Sequence, residues 1–298
     1  MALQIEEWFG HPLSESSSLV DHLRESETCP FRDLRCTKRL GDGSRSGVCS
    51  VKIASEISPV IICPNRFYAQ DYLMLKEVAQ VAFDCDDPVI SPTNYHDDIR
   101  NQGVIIAFGK NSGGELKLPS TKGTGRYFVD WVLARIEPGG ELSEFVAVEV
   151  QSIDITGSYR PEVEQLRRGL KNVGISKANL NWENVNKRIL PQLIYKGQVL
   201  RREPLCTKGL FFVCPTAVNT RVQERLGNNL LPYDNLQPGS ISFLWYGIST
   251  LPDHQPGCKL EGRFSTTVDQ VAQALNTTTN LPPQGVYEEA IRQQLARI

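Results

Sequence analysis

The sequence predicts an α/β (α+β) protein: a mixed sheet flanked by helices, with a small cysteine-bearing N-terminal domain. Three observations carry this. Strand and helix patterns follow one another without an internal repeat, an apolar hairpin occupies 127–153, and four of the eight cysteines fall within residues 29–63. The 298 residues suffice for one large body or a core domain with an appendage. We divide them into an N-terminal unit, 1–67, and a main domain, 68–298.

The N-terminal unit starts with a short apolar and acidic segment and a Ser-rich stretch. Residues 29–66 are turn-rich and, outside Ile61 and Ile62, too poor in apolar runs to hold a core unaided; a bound metal would supply what burial cannot. Tyr72, Leu75, Val78, Ala79 and Ala82 recur at helical spacing and predict a helix over 68–83. Residues 103–108 read as a strand, followed by a Gly- and Lys-rich loop over 109–125. Tyr127 to Ile136 and Phe145 to Ile153 read as strands joined by the turn Glu137-Pro-Gly-Gly140, a hairpin at the centre of the sheet. Further helices are expected after Pro161, over 182–193, over 218–226 with Gly227 as stop, over 267–275 and over 286–295. Strands are expected over 209–213 and 241–248.

A net charge of −2 does not announce a nucleic-acid binder, nor does it exclude one whose cations line a single cleft. No apolar run reaches the roughly 18 residues of a bilayer span, and the first ten residues lack a secretion pattern. A soluble, cytoplasmic protein without a membrane partner is expected, in which cysteines serve something other than disulfides.

The chemistry is carried by Asp130 on one strand and by Glu149-Val-Gln151 on the next. Residues two apart on a strand share a face, so Glu149 and Gln151 project together while Val148 and Val150 pack the other way. A turn centred on 138–141 sets Asp130 across from Glu149, a register that a bulge would shift. Two carboxylates and an amide oxygen between apolar strands are costly unless they bind something, and a hard divalent cation with phosphate oxygens suits them. The bland alternative is a hairpin with an outward polar face.

Cys29, Cys36, Cys49 and Cys63 are spaced C-x6-C-x12-C-x13-C beside turn residues. They read either as a closed, structural four-thiolate site for zinc or iron or as four unrelated reduced cysteines. Lys110, Lys117, Lys122 and Arg126 before Asp130, and Arg160, Arg167, Arg168 and Lys171 after the hairpin, could follow a phosphate backbone or be ordinary solvated cations. Lys38, Arg39 and Arg45 are further candidates, whereas His96 is given no role.

In combination these elements resemble the NotI restriction endonuclease family. The resemblance rests on Thr28-Cys-Pro-Phe31, Gly47-Val-Cys49, Cys63-Pro-Asn-Arg66, Gly113-Gly-Glu-Leu116, Asp130-Trp131 and Glu149-Val-Gln151, with Asp154 and Gly157-Ser-Tyr159. Trp8-Phe-Gly-His11 is similar to the family's opening. The resemblance runs from about residue 8 to 160 and weakens beyond. It implies a PD-(D/E)xK core over 68–298, a four-cysteine domain holding iron in 1–67, and a homodimer cutting both strands of a short GC-rich palindrome in double-stranded DNA. It places Asp130 and Glu149 on catalytic Mg²⁺ and gives Gln151, where the superfamily usually has lysine, the task of orienting water or metal. It implies Cys29, Cys36, Cys49 and Cys63 as ligands, with Cys36 in the most divergent loop. Lys117, Lys122, Arg126, Tyr159 and Arg160 are the candidate DNA contacts, and a DNA methyltransferase in the same cell is the functional partner.

Two other functions fit the residues: a repair or mobile-element nuclease on the same core, and a non-catalytic DNA-binding module built on the cysteine domain. Digestion of plasmid DNA with Mg²⁺ separates the three as discrete bands, smears or nicks, and binding without cutting.

Overall fold

The computed structural model describes residues 3–54, 56–110, 116–118, 127–227, 230–251, 254–277 and 283–297. Among them, seven strands form the main sheet, in spatial order Pro256–Thr267, Ser240–Thr250, Leu210–Pro215, Leu142–Val150, Trp131–Ile136, Val104–Gly109 and Val89–Ile90. The Leu142–Val150 strand runs through the middle, antiparallel to Trp131–Ile136 and parallel to Leu210–Pro215. The sheet is therefore mixed, and the fold is α+β as expected.

Both faces of this sheet are buried, and alternation assigns each residue its side. Trp131, Leu133, Val146, Val148, Val150, Phe211 and Val213 pack with Met74, Leu75, Val78, Ala79 and Ala82 of the Ala69–Phe83 helix. Val132, Ala147, Phe212 and Cys214 face the other way, into a core shared with Leu193 of the Leu190–Leu200 helix, Val222 of Thr216–Leu226 and Val271 of Val268–Asn276. Each fully buried large side chain contributes about 1.5–3 kcal/mol, so these two layers fix the plane of the hairpin firmly. One close approach depends on glycine. Gly109 lies opposite Trp131, and a Cβ there would come within 2.3 Å of the indole ring.

Several expectations need correction. The N-terminal unit does hold buried structure. His11–Pro12, Leu3–Trp8, Val48–Ile53 and Val60–Ile61 form a four-stranded sheet, and Leu3, Ile5, Val48, Val51 and Ile53 join the core of the main sheet. The apolar residues looked sparse because their strands are far apart in sequence. The first hairpin strand is interrupted: Tyr127–Phe128 pairs with Lys117–Leu118, and the central strand begins at Trp131. Its partner starts at Leu142 and ends at Val150, earlier at both ends than 145–153. The 68–83 helix is entered through Gln70, Asp71 and Tyr72 at φ of 56°, 52° and 57°, a left-handed turn no periodicity reveals. The expected helix over 182–193 begins as a π turn, Val185–Ile189, and runs on to Leu200, with Pro191 in its first turn, where proline needs no N–H partner. The helix expected after Pro161, whose apolar spacing Val163, Leu166 and Leu170 suggested a longer run, stops at Arg167, and Leu170 is exposed. The Pro256–Thr267 edge strand was not foreseen, because its outward residues are mostly polar.

Candidate active site

Asp130 stands immediately before the central antiparallel pair, and Glu149 near the end of the middle strand. The ladder pairs Ile136 with Leu142, then Arg135 with Glu144, so Ser143 is the extra residue of a bulge. Without it, the turn would place Val148 across from Asp130. With it, Trp131 pairs with Val148, and the next step sets Asp130 opposite Glu149. The expected opposition is present, and the bulge produces it. The Val150 N–H donates to Asp130 Oδ2 at 2.8 Å, which fixes the first carboxylate against the second strand.

Glu149 shares its face with Ala147, the side covered by the Leu190–Leu200 helix. From that helix Lys196 Nζ reaches Glu149 Oε1 at 2.5 Å, with both side chains about 15% exposed or less. Burial raises the Glu149 carboxyl from its ordinary value of 4.5 to about 7, and repulsion from Asp130 adds to the rise, while Lys196 opposes it. The pair is electrostatically crowded with acid, which is the condition a divalent cation relieves. Tyr68 and Tyr72 form edge contacts with Trp131 at ring-centroid distances of 5.7 and 5.3 Å, a rigid aromatic wall beside Asp130.

Gln151 follows the strand end. Its N–H continues the ladder to Val213 O at 2.9 Å, and its side-chain amide donates to Ser152 O at 2.9 Å. It opens on a groove of about 720 Å³ between the N-terminal unit and the hairpin exit. Thr37, Lys38, Arg39, Asn65, Asp154 and Asn184 line it, a wall of hydrogen-bonding groups. Tyr159 is buried at the groove's edge, with its hydroxyl 2.9 Å from Ser46 Oγ and Lys38 above its ring. Arg160 is half exposed and pairs with Asp42 at 3.0 Å and Glu164 at 2.7 Å. Arg167 pairs with Glu27 at 2.9 Å. Of the loop candidates, Lys122 and Arg126 lie outside the described residues, as does the side chain of Lys117.

The four N-terminal cysteines are buried, and three of them, Cys29, Cys49 and Cys63, share one apolar cluster with Phe31 and Ala69. The charge of Cys63 acts on both Cys29 and Cys36, raising their thiols, and Cys63 hydrogen-bonds with Cys49. That hydrogen bond lowers the Cys63 thiol against the cost of its burial, and Lys38 and Arg66 help. Burial pushes Cys29 up to about 12. Among the described residues, no group of three or more His, Cys, Asp or Glu is arranged to hold a metal ion.

Lys196 was missed in the sequence. Its signal was a lysine set between Leu193 and Leu200, at i+3 and i−4 on the buried stripe of a helix, where lysine is rare without a partner.

The fold is a mixed α+β sheet with an acidic pair at the end of its middle strand and a groove of hydrogen-bonding groups at the hairpin exit. The family model described as restriction endonuclease NotI matches residues 17–205, well over half of the chain, and the protein belongs to that family. It is thus a type II site-specific deoxyribonuclease acting on double-stranded DNA. No curated protein matches the chain. The strands from Ser240 onward lie beyond the matched span and complete the same sheet. Among the described residues, no helix is long and apolar enough to cross a membrane.

Proposed function

We propose that the enzyme hydrolyses both strands of a short, GC-rich palindromic site, with Asp130 and Glu149 as the Mg²⁺-holding pair of a PD-(D/E)xK core. The single observation that carries this is the bulged hairpin bringing two part-buried carboxylates together, one of them with a markedly raised proton affinity. The donor set fits a hard cation: oxygen ligands, partial burial and mutual repulsion that a cation would relieve. Bound there, Mg²⁺ would polarise the phosphate, lower the pKa of the attacking water and offset charge on the leaving oxygen.

The chain's own residues do the rest. Val150 N–H holds Asp130 in place, and the packed strands keep Glu149 facing it. Gln151, just past the strand end, orients water or metal at the mouth of the groove. The water oxygen adds to phosphorus as the bond to the deoxyribose oxygen breaks; one water proton ends on that leaving oxygen, and the other stays with the new phosphate or solvent. The groove lined by Lys38, Arg39, Asn65 and Asn184 follows the DNA, with Arg160, Lys117, Lys122 and Arg126 as further contacts and Tyr159 bracing its wall.

A soft, closed iron or zinc site on Cys29, Cys36, Cys49 and Cys63, all of them buried, would need the four thiols drawn closer together than they stand, and would then tie the turn-rich stretch of residues 29–63 together. A homodimer matches two cuts in a palindrome. The exposed Val286–Leu295 helix, with Tyr287, Ile291 and Leu295 along one stripe, offers an apolar face for a second copy. Cutting host DNA at its own site calls for a methyltransferase in the same cytoplasm. Digestion of plasmid DNA with and without Mg²⁺ tests the reading. Discrete Mg²⁺-dependent fragments support it, while smears, structure-dependent nicks or binding without cutting would replace it with a repair nuclease or a binding module.

A further inference from the structure

We infer that Lys196 is the catalytic cation of this centre, contacting a non-bridging oxygen of the scissile phosphate from the Leu190–Leu200 helix. The inference rests on the reading of Asp130 and Glu149 as the metal-holding pair.

Phosphodiester cleavage accumulates negative charge on the phosphate oxygens, and fixed donors aimed at that charge are worth large factors in rate. Gln151 cannot supply a charge, and its amide nitrogen is engaged with Ser152 O. Among the described residues, a cation that meets the acidic pair comes instead from a different element. Lys196 Nζ lies 2.5 Å from Glu149 Oε1. Leu193 and Leu200, at i−3 and i+4 on the same helix stripe, are buried. A largely buried lysine is expensive: an apolar residue of similar volume would pack this stripe at no electrostatic cost. Beyond Glu149, Lys196 borders a separate cavity of about 470 Å³, which Phe128, Lys187, Arg188, Gln192 and Tyr195 also line. Arg188, Gln192 and Lys196 are spaced i, i+4, i+8, so they fall on one side of the helix. A DNA strand entering that cavity meets a row of donors ending at the carboxylates. The ammonium therefore stands between that cavity and Glu149, with hydrogen-bonding capacity beyond its bond to the carboxylate.

The test uses the full-length wild type and Lys196→Met, Lys196→Arg and Glu149→Ala. Each is placed in excess over a plasmid that the wild type linearises while Mg²⁺ is titrated. DNA binding is followed by gel shift with Ca²⁺ in place of Mg²⁺, and each variant's thermal midpoint is recorded. We expect Lys196→Met to lose about 100-fold or more of the plateau cleavage rate. Its half-saturating Mg²⁺ should be no higher than wild type, because no ammonium then competes for Glu149, and its binding should stay within about 3-fold. Lys196→Arg should keep about a tenth of the rate, the guanidinium being a cation of different shape. A plateau rate within a few-fold of wild type overturns the inference. So does a rate that recovers fully at high Mg²⁺, since Lys196 would then serve only to arrange Glu149. If Lys196→Met fails to fold, Lys196→Gln carries the same test. Should Glu149→Ala cut normally, the acidic-pair reading falls and this inference with it. Should Glu149→Ala be dead and Lys196→Met fully active, this inference alone falls.

Discussion

The backbone N–H of Val150 donates to Oδ2 of Asp130 across 2.8 Å, tying the residue that precedes one strand to the last residue of its neighbour. The bond forms because the Ser143 bulge advances the second strand by one residue, which also sets Glu149 beside Asp130. The acidic pair is thus a product of hairpin geometry and not of chain proximity, since 19 positions separate the two residues.

The metal-free protein should lose stability as pH rises from about 4.5 to about 7. In that window the unfolded chain releases the Glu149 proton while the folded chain, with its carboxyl raised to about 7 by burial and by Asp130, retains it. Below 4.5 both states are protonated, and above 7 both are ionised, so the contribution is flat on either side. Thermal midpoints across this range should show Glu149→Gln gaining on the wild type toward pH 8. A variant whose deficit or advantage is the same at pH 4 and pH 8 would show that Glu149 titrates normally.

Arg66 is fully buried, stacked over Phe31 at 4.7 Å, and bonds both Glu7 and Gly257 O, the latter at 2.7 Å. It joins the N-terminal sheet to the far edge of the main sheet. Arg66→Met should destabilise by about 3–5 kcal/mol, because it leaves the Glu7 charge buried without its partner. Glu7→Gln/Arg66→Met should recover much of the loss. Urea denaturation of the single and double variants checks this, and equal losses in both would mean that packing, not the ion pair, matters.

Much of this fold was legible in the sequence. The central hairpin, the buried strand Leu210–Pro215 and the closing helix announced themselves through local apolar patterns. Asp130 and Glu149 stood out because charged residues interrupted those patterns. Lys196 did not, since its partner lies 47 positions away and helical spacing alone cannot show what a lysine faces. The N-terminal sheet was equally hidden. Leu3–Trp8 and Val48–Ile53 pair across a long excursion, so neither strand could be read as half of a sheet. Local propensity does not encode the left-handed turn at Gln70–Tyr72, whose last residue packs against Trp131.

Arg39 lines the polar groove, and its Nη1 reaches Gly43 O at 3.0 Å. If the groove follows the phosphate backbone, Arg39→Ala should weaken binding about equally on specific and unrelated DNA. It should also reduce the slope of log affinity against log salt by about 1. A loss confined to the specific site would instead make Arg39 a base reader.

Cys49→Ser should lower the thermal midpoint and remove one iron or zinc per chain, with cleavage chemistry surviving at low temperature, because a site closed by four thiolates has no open position for substrate. Elemental analysis of well-folded wild type that finds neither metal would leave the cluster as four packed thiols.

The most direct test of the acidic pair compares Asp130→Asn and Glu149→Ala with wild type for cleavage and for site-specific binding of the same DNA fragment. Both variants should bind the fragment specifically, and neither should cut it at any Mg²⁺ concentration. Cutting at the wild-type rate by either variant would contradict the acidic pair's role.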